Sequence, residues 1–209
     1  GVDLVRDLNT TGTGYENVSS IFIGQIANPT LQWEEVSQFN VGLDFRLLNN
    51  RLEGNFDYYN KKTTSLFYSD NTSAVNGFYA ITANNGSLEN KGVELMLRYH
   101  LIKTDDLKLS IFANGSHNTT KVTDILETDQ SGNSQLIQTG YLLNEWQLIP
   151  YAGVNPANGN LLFYDIDGNL TETPDETADR RATGKTALPR YQGGFGFNLD
   201  YKGFYLNTL

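Results

Sequence analysis

Several residue types that build catalytic or metal sites are scarce or missing from this sequence of 209 residues. It has no cysteine, which excludes disulfides, thiolate metal sites and cysteine nucleophiles. The two histidines, His100 and His117, do not lie in a metal-ligand spacing. No apolar run approaches the roughly 18 residues of a transmembrane helix. The net charge of −9 argues against a nucleic-acid partner, because no basic surface is available to displace counterions from phosphates.

The residues that are abundant favour strands and turns. The chain contains 20 glycines, 12 tyrosines and 11 phenylalanines. Aromatic side chains are enriched in β-strands, and glycine is enriched in the turns between them. The composition therefore predicts an all-β fold.

The clearest strand signal is a predicted hairpin at residues 38–60. Apolar side chains alternate with polar ones from Phe39 to Leu47 and again from Leu52 to Tyr58, which is the period of a β-strand. Asn49-Asn50 between the two runs predicts a tight turn, because asparagine tolerates a positive φ. Each arm has roughly ten residues, enough for a tilted strand to cross a bilayer, whereas strands of most sheets have about five or six.

Similar alternation predicts further strands at residues 92–101, 107–114 and 191–201, and another beginning at Phe204. We expect residues 1–35 to be loop with one strand. Short connections at Asn49, 103–106 and 202–203 alternate with long ones at 63–90 and 119–189, and the second long one reads as irregular. Outer-membrane barrels sort their connections in this way, with short periplasmic turns and long extracellular loops. A soluble β-sandwich is the alternative architecture.

The predicted fold class is an all-β, antiparallel transmembrane β-barrel segment of about six strands. Closing a barrel takes about eight strands. An open sheet edge in lipid would leave backbone N–H and C=O groups unpaired, which costs several kcal/mol for each group. We therefore expect this segment to be part of a larger barrel.

A series of motifs resembles the SusC/RagA-type TonB-dependent receptors of Bacteroidetes-like outer membranes. The resemblance begins at Asn28-Pro-Thr-Leu-Gln-Trp-Glu34 and runs in order, with family-like spacing, to the last residue. It continues through the segments 42–45, 50–52, 57–63, 86–95, 153–159 and 188–194. The series corresponds to a late section of the receptor barrel.

The resemblance implies a multi-pass β-barrel of about 22 strands in the cell outer membrane. Residues 1–209 would be a fragment of a single barrel domain, without the plug, the TonB-contacting segment and the closing strands. The implied function is active import of oligosaccharides or peptides. The implied partners are a SusD-like surface lipoprotein acting as a lid, the TonB system through the missing N-terminal part, a glycan or peptide substrate, and membrane lipid, with no nucleic acid.

Other function classes stay open. The barrel could be a structural or binding scaffold in a surface complex, and a soluble β-sandwich could be an adhesin. An enzyme is a distant third, because no nucleophile, base and orienting group share a motif. We therefore expect no catalytic residues and no cofactor beyond a structural metal ion.

The candidate metal site is an acidic loop. Asp165, Asp167 and Asn169 place oxygen ligands at alternate positions next to a tight turn, as at the start of a calcium-binding loop, and Asp179 could close on them. Counting from Asp165, Glu176 occupies the twelfth position, but Gly168 falls at position four instead of six. The two interpretations are a structural Ca²⁺ site and a hairpin turn in an extracellular loop.

Aromatic residues form a second candidate site. Tyr58 and Tyr59 suit an interfacial aromatic girdle. The segment from Phe67 to Tyr79, with Tyr68 and Phe78, suits stacking on sugar rings or packing against a lid.

Overall fold

The structure, a computed structural model, describes residues 8–71, 73, 75, 77, 78, 80–125 and 135–209. In this part of the chain the regular backbone structure is β-strand, apart from 3₁₀ residues such as Tyr15–Asn17. Among the described residues, no helix is long and apolar enough to cross a membrane. The predicted all-β class is confirmed.

The strands follow one another along the chain with few long gaps between them. From the N-terminus they are β1 (Leu8–Thr13), β2 (Ser19–Gln25), β3 (Glu35–Leu47), β4 (Leu52–Thr64), β5 (Phe67–Asn71), β6 (Ala80–Asn84), β7 (Gly86–Lys103), β8 (Leu107–Ile125), β9 (Gln135–Leu136), β10 (Glu145–Leu148), β11 (Tyr151–Val154), β12 (Leu161–Tyr164), β13 (Leu170–Thr171), β14 (Arg181–Thr186), β15 (Tyr191–Tyr201) and β16 (Phe204–Thr208).

The chain divides into two compact units. The sheet unit comprises Ser37–Lys62, Glu89–Thr120 and Thr186–Leu209, and the loop unit comprises Thr63–Leu88, Lys121–Lys185 and the N-terminal segment that ends at Val36. A six-stranded sheet has the order β16-β15-β8-β7-β4-β3. Smaller sheets have the orders β1-β2, β5-β6, β14-β10-β9 and β11-β12-β13.

The register of β15 places several side chains of matched character opposite one another. β15 pairs antiparallel with β8 on one side and with β16 on the other. Leu199 lies opposite both Leu109 and Leu206, in an apolar row. The next residue, Asp200, lies opposite Lys108 on the other face. Cross-strand pairs of matched character stabilise a sheet, and a slip of one residue would exchange the two faces.

One face of the sheet is apolar and uncovered in this chain. Phe39 is 62% exposed, Leu43 is 59% exposed and Phe195 is 81% exposed. Large apolar side chains that would normally be buried thus lie side by side, which is a pattern expected where lipid covers the sheet. We call this the apolar face; its main residues are Phe39, Val41, Leu43, Phe45, Leu47, Leu52, Phe56, Val93, Leu95, Leu97, Leu109, Ile111, Phe195, Phe197 and Leu199.

The short connections are tight turns, as predicted. Leu48, Asn49 and Asn50 all have positive φ, and the Arg51 N–H donates to the Leu47 carbonyl at 3.1 Å. Between β15 and β16, Lys202 and Gly203 have φ values of 48° and 88°, which match the twist of the flanking strands.

Three predictions about the strands and connections were wrong. Residues 119–189 contain the short strands β9 to β14 rather than irregular chain, whereas the long connection at 63–90 contains the β5–β6 hairpin. The N-terminal region contains two paired strands instead of one. β7 and β8 also extend beyond the predicted ranges, into segments where apolar and polar residues no longer alternate regularly. The alternation that reveals a half-buried strand is lost at that point.

The loop unit has a small core of its own. Val122, Ile125 and Leu142 are buried, and Val122 is only 2% exposed. The carboxylate of Glu145 is buried beside them and accepts hydrogen bonds from the backbone N–H groups of Leu142 and Gly184. These two bonds satisfy a charge that would otherwise be costly to bury.

Candidate functional site

The face of the six-stranded sheet opposite the apolar face is polar and forms two open clefts. We call it the polar face; its main residues are Asp44, Arg46, Glu53, Asn55, Asp57, Glu94, Met96, Arg98, Asn114, Ser116 and Gln192. Met96, which interrupts the polar alternation of β7, lines both clefts. Asp44 and Arg98 line the same cleft.

The first cleft has a volume of about 590 Å³ and offers amides, hydroxyls and carboxylates. Asp57 and Glu94 supply the carboxylates, and Asn55, Asn114 and Gln192 supply the amides. These groups can donate to and accept from a hydrated solute.

The second cleft is smaller, about 450 Å³, and its charges are balanced. It is lined by the carboxylates of Asp44 and Glu53 and by the guanidinium groups of Arg46 and Arg98. His100 lies at its edge, with Nε2 3.8 Å from Oε1 of Glu53. Because positive and negative side chains lie close together in this cleft, its electrostatic potential is not of one sign.

Tyr59 belongs to the polar face rather than to an interfacial girdle. It alternates with Asp57 along β4, and its ring occupies the space where a Cβ atom on Gly92 would lie. Gly92 in turn alternates with Glu94 along β7. The ring therefore covers the bare backbone of a glycine, a device that protects sheet hydrogen bonds from water.

His117 lies on the apolar face, opposite Tyr191 of β15. Its ring stacks on Tyr191 with centroids 4.4 Å apart and an interplanar angle of 24°. Nδ1 donates to the Arg190 carbonyl at 3.0 Å, because a carbonyl oxygen can only accept. His117 is therefore held as an aromatic packing residue.

The loop from Asp165 to Asn169 brings together two of the three predicted metal ligands. Oδ1 of Asp165 accepts from the Asn169 N–H at 2.7 Å, and Oδ2 accepts from Nδ2 of Asn169 at 3.2 Å. The backbone hydrogen bond from Asn169 holds the pKa of the Asp165 carboxyl below its usual range. Asp167 lies in the exposed turn between them. Within the described residues no three acidic, histidine or cysteine side chains are grouped to hold a metal ion, and the calcium site stays a prediction.

Asp179 contacts this loop through hydrogen bonds from backbone N–H groups. It is 5% exposed. Oδ1 accepts from the Ile166 N–H and Oδ2 accepts from the Asp175 N–H, each at 2.7 Å. The Arg181 guanidinium donates to the Asp165 carbonyl. Asp179 and Arg181 therefore fasten the 165–169 turn to the segment that follows it.

A second carboxylate clamp holds the turn between β11 and β12. The side-chain amides of Asn155, Asn158 and Asn160 donate to Glu172 at 2.5, 2.8 and 2.7 Å. Hydrogen bonds from the Asn160, Asn158 and Asn155 amides hold the pKa of the Glu172 carboxyl below its usual range. This clamp was not predicted from the sequence, although the three asparagines in one short turn were a visible signal.

The family-like segment 28–34 is clipped onto the β5–β6 hairpin, and we call this arrangement the clip. Nδ2 of Asn28 donates to the Thr82 carbonyl at 2.9 Å. Oε1 of Glu34 accepts from the Phe67 N–H at 3.2 Å. Asn84 bonds to Gln32 and donates to the Ser65 carbonyl at 2.7 Å. These contacts give the motif a structural role, to fix a loop hairpin against the segment before β3.

The loop aromatics lie on the clipped hairpin. Phe67 and Tyr68 are in β5, and Phe67 is 42% exposed. Phe78 lies between β5 and β6, and Tyr79 is outside the described residues. The clip thus fixes the backbone that carries Phe67, which makes stacking or packing by this side chain possible without further ordering of its backbone.

Long paired strands with one apolar and one polar face are the pattern of a transmembrane β-barrel wall. The chain belongs to the TonB dependent receptor-like, beta-barrel family, whose model matches residues 6–208. The predicted SusC/RagA-type resemblance is confirmed by the relatives. The chain is 30% identical to TonB-dependent receptor P3 of Formosa agariphila over 94% of its own length. It is also 30% identical to TonB-dependent receptor SusC of Bacteroides thetaiotaomicron over 85% of its own length.

Solved structures agree with the sequence comparisons. The RagAB peptide importer in its 'open-open' state superposes with a TM-score of 0.82 over 98% of this chain, with 26% identity. A structure of the RagAB peptide transporter gives a TM-score of 0.79 with 27% identity. The chain spans 22% of the length of receptor P3, 19% of SusC and 23% of the first RagAB structure. These relatives are named as receptors and transporters, and none of them as an enzyme.

Proposed function

We propose that this chain forms part of the wall of an outer-membrane active importer, with its apolar face toward lipid and its polar face toward the transport lumen. The observation that carries the proposal is the division of the six-stranded sheet into those two faces. β7 and β8 have 18 and 19 residues, more than the about 9–11 that a tilted membrane strand needs. Their length allows them to cross the bilayer and continue beyond it.

The proposed domain organisation follows from the share of each relative that the chain covers. Residues 1–209 would be one section of a single barrel domain of about 22 strands. A plug and a TonB-contacting segment would lie elsewhere in the whole receptor. Import would draw energy through TonB, and no step in it would require bond-making by the residues of this section.

The proposed substrate is an oligosaccharide or a peptide, delivered beneath a SusD-like surface lipoprotein. Support comes from the relatives, which include SusC and the RagAB peptide transporter. The first cleft adds a physical argument, since amides and carboxylates can bond equally well to sugar hydroxyls and to peptide groups.

The test is to purify the native receptor from outer membranes in mild detergent and identify its chain length and companions by mass spectrometry. We expect a chain several times longer than 209 residues that travels with a surface lipoprotein. Uptake of labelled oligosaccharides and peptides should then stop when TonB is deleted. A complete water-soluble chain of 209 residues would overturn the membrane, barrel and import assignments together. An intact membrane complex without TonB-dependent uptake would indicate a scaffold instead.

A further inference from the structure

The apolar face ends in a row of aromatic rings. Tyr58 continues the apolar alternation of β4, and His117 and Tyr191 do the same on β8 and β15. His117 and Tyr191 are direct register partners and stack on each other. Tyr191 is 75% exposed. Aromatic side chains with a polar atom are typical of the level where lipid tails meet headgroups.

A charged row follows directly beyond the aromatic row. On the same side of β4 as Tyr58 come Asn60 and Lys62. On the same side of β7 as Val93 come Lys91 and Glu89, with Nζ of Lys91 2.9 Å from Oε1 of Glu89. Glu89 also interacts with the Asn60 side chain and with the charge of Lys62. These residues therefore form one cluster, which we call the headgroup patch.

The headgroup patch carries two cations and one carboxylate, in a chain whose net charge is −9. The Lys91 side chain is 48% exposed, whereas that of Glu89 is 25% exposed. The carboxylate thus lies deeper and orders the lysine, while the ammonium group is presented to the outside. The patch has a local charge of +1 in an acidic chain.

We propose that Lys62 and Lys91 bind the phosphate groups of the anionic lipids that surround the receptor, with Tyr58 and Tyr191 at the level of the headgroups. The proposal rests on the membrane location argued above. Phosphate is the anionic group of membrane lipids, and lysines at the membrane surface attract it. The patch is continuous with the apolar face, which argues for a ligand that carries both a phosphate and acyl chains.

The experiment uses the full-length receptor, extracted from outer membranes in a non-ionic detergent. Thermophoresis would measure its dissociation constants for a diphosphorylated lipid A, for the same lipid without its phosphates, and for inorganic phosphate. The double variant Lys62→Gln/Lys91→Gln is compared with Lys103→Gln, which removes one positive charge at the opposite end of β7. Lys62→Arg and Lys91→Arg keep the positive charges. They are measured in addition, in case the double variant fails to assemble.

We expect the wild type to prefer the phosphorylated lipid, and the double variant to bind it roughly 25-fold more weakly, at about fivefold for each lysine. Lys103→Gln and the arginine variants should stay within about twofold of the wild type, because the charge at the patch is unchanged. Equal binding of the two lipids, or an unaffected double variant, would overturn the proposal. Inorganic phosphate that binds as tightly as the lipid would overturn the assignment to lipid.

Failure of this inference and failure of the importer proposal are distinguishable. A receptor found in the outer-membrane fraction with TonB-dependent uptake, whose lipid affinity does not change in the double variant, retains the importer function and loses the headgroup patch. A receptor that is absent from the outer membrane contradicts the membrane location, and the lipid proposal fails with it.

Discussion

The side-chain amide of Asn84 pairs with the backbone of Gln32 as a neighbouring strand would. Its Nδ2 donates to the Gln32 carbonyl at 2.9 Å, and its Oδ1 accepts from the Gln32 N–H at 2.7 Å. A single side chain thereby satisfies both polar backbone groups of a residue that has no strand partner. The same Nδ2 also donates to the Ser65 carbonyl, so Asn84 joins three segments of the loop unit.

Replacing Asn84 should therefore release the clip. Asn84→Ala removes all three hydrogen bonds, and each such bond contributes about 0.5–1.5 kcal/mol. We expect hydrogen–deuterium exchange of residues 28–34 to rise roughly 10- to 100-fold, while the six-stranded sheet is unaffected. Gln38→Ala is the matched control, because Gln38 bonds to Asn40 outside the clip. Unchanged exchange at Gln32 in the Asn84 variant would show that the clip does not order this segment.

The elements with one apolar and one polar face could be predicted from the sequence. For β15 the predicted range, 191–201, matches the observed strand at both ends. Its neighbour β7 was predicted as 92–101 but begins at Gly86, because Glu89 and Lys91 remove the apolar signal on the outward side. Apolar and polar residues alternate where one face of a strand is covered by lipid. The alternation is lost where the strand extends beyond the bilayer.

The long-range contacts of the loop unit could not be predicted, because they join residues distant in sequence. Asn84 and Gln32 are 52 positions apart, and Glu145 and Gly184 are 39 apart. Local spacing carries no information about such pairs. The Asp165–Asn169 turn was visible because its partners are four residues apart. Its hydrogen bonds are those of a hairpin turn, which the sequence analysis held as the alternative to calcium.

The two faces of β3 should respond oppositely to charge changes. Leu43→Arg places a charge on the apolar face, and at mid-depth in a bilayer this should cost about 2–4 kcal/mol and reduce assembly. Its neighbour Asp44 is on the polar face, so Asp44→Asn should assemble normally. The amount of folded receptor in outer-membrane fractions measures both. Similar loss in the two variants, or in neither, would show that the faces are wrongly assigned.

The Tyr59 ring and Gly92 should behave as an interlocked pair. In Gly92→Ala the new methyl group would occupy the position of the ring, and we expect a destabilisation of about 1–3 kcal/mol from overpacking. Tyr59→Ala removes the clash, so the second substitution should cost much less in that background. The free energies of unfolding of the wild type, the two single variants and the double variant are measured by urea unfolding of the receptor in detergent. Together they form a double-mutant cycle.

Gly115→Ala is the control for that cycle. Its added methyl group would meet its nearest neighbour, the Gln192 carbonyl oxygen, at 3.8 Å, an ordinary contact distance. The Gly115 variant should therefore be close to the wild type in stability. Additive effects of Gly92→Ala and Tyr59→Ala would contradict the interlocking.

Calcium binding at the Asp165 loop makes a separate prediction. If Asp165, Asp167 and Asn169 hold Ca²⁺, titration of calcium chloride into the full-length receptor should release a saturable heat. Asp165→Ala and Asp167→Ala should each abolish it, and magnesium should not reproduce it, because the smaller ion requires stricter octahedral geometry. A wild type without any heat removes the site. An ion would also have to compete with Asn169, which already donates to both carboxylate oxygens of Asp165.

Protonation of Glu172 should open the β11–β12 turn. The pKa of its carboxyl is lowered in the fold by the Asn160, Asn158 and Asn155 amides, so folding favours the charged form. The stabilisation is therefore present above the unfolded pKa, near the ordinary value of 4.5, and is lost as the pH falls through the lower folded pKa. Above about pH 5, Glu172→Gln should leave the turn more open than in the wild type.

Pepsin, which cleaves beside residues such as Leu161 and Phe163 at acid pH, measures this opening on the full-length receptor. Rates are divided by those for an unstructured peptide of residues 151–173 at the same pH, which corrects for the pH dependence of the protease. The normalised rate should rise between about pH 4.5 and pH 2 in the wild type and stay nearly constant in Glu172→Gln, because the amide does not titrate. Asp167→Asn is the control, since Asp167 is outside the clamp and its variant should follow the wild type. Parallel curves for the wild type and Glu172→Gln would mean that another acidic group controls the opening.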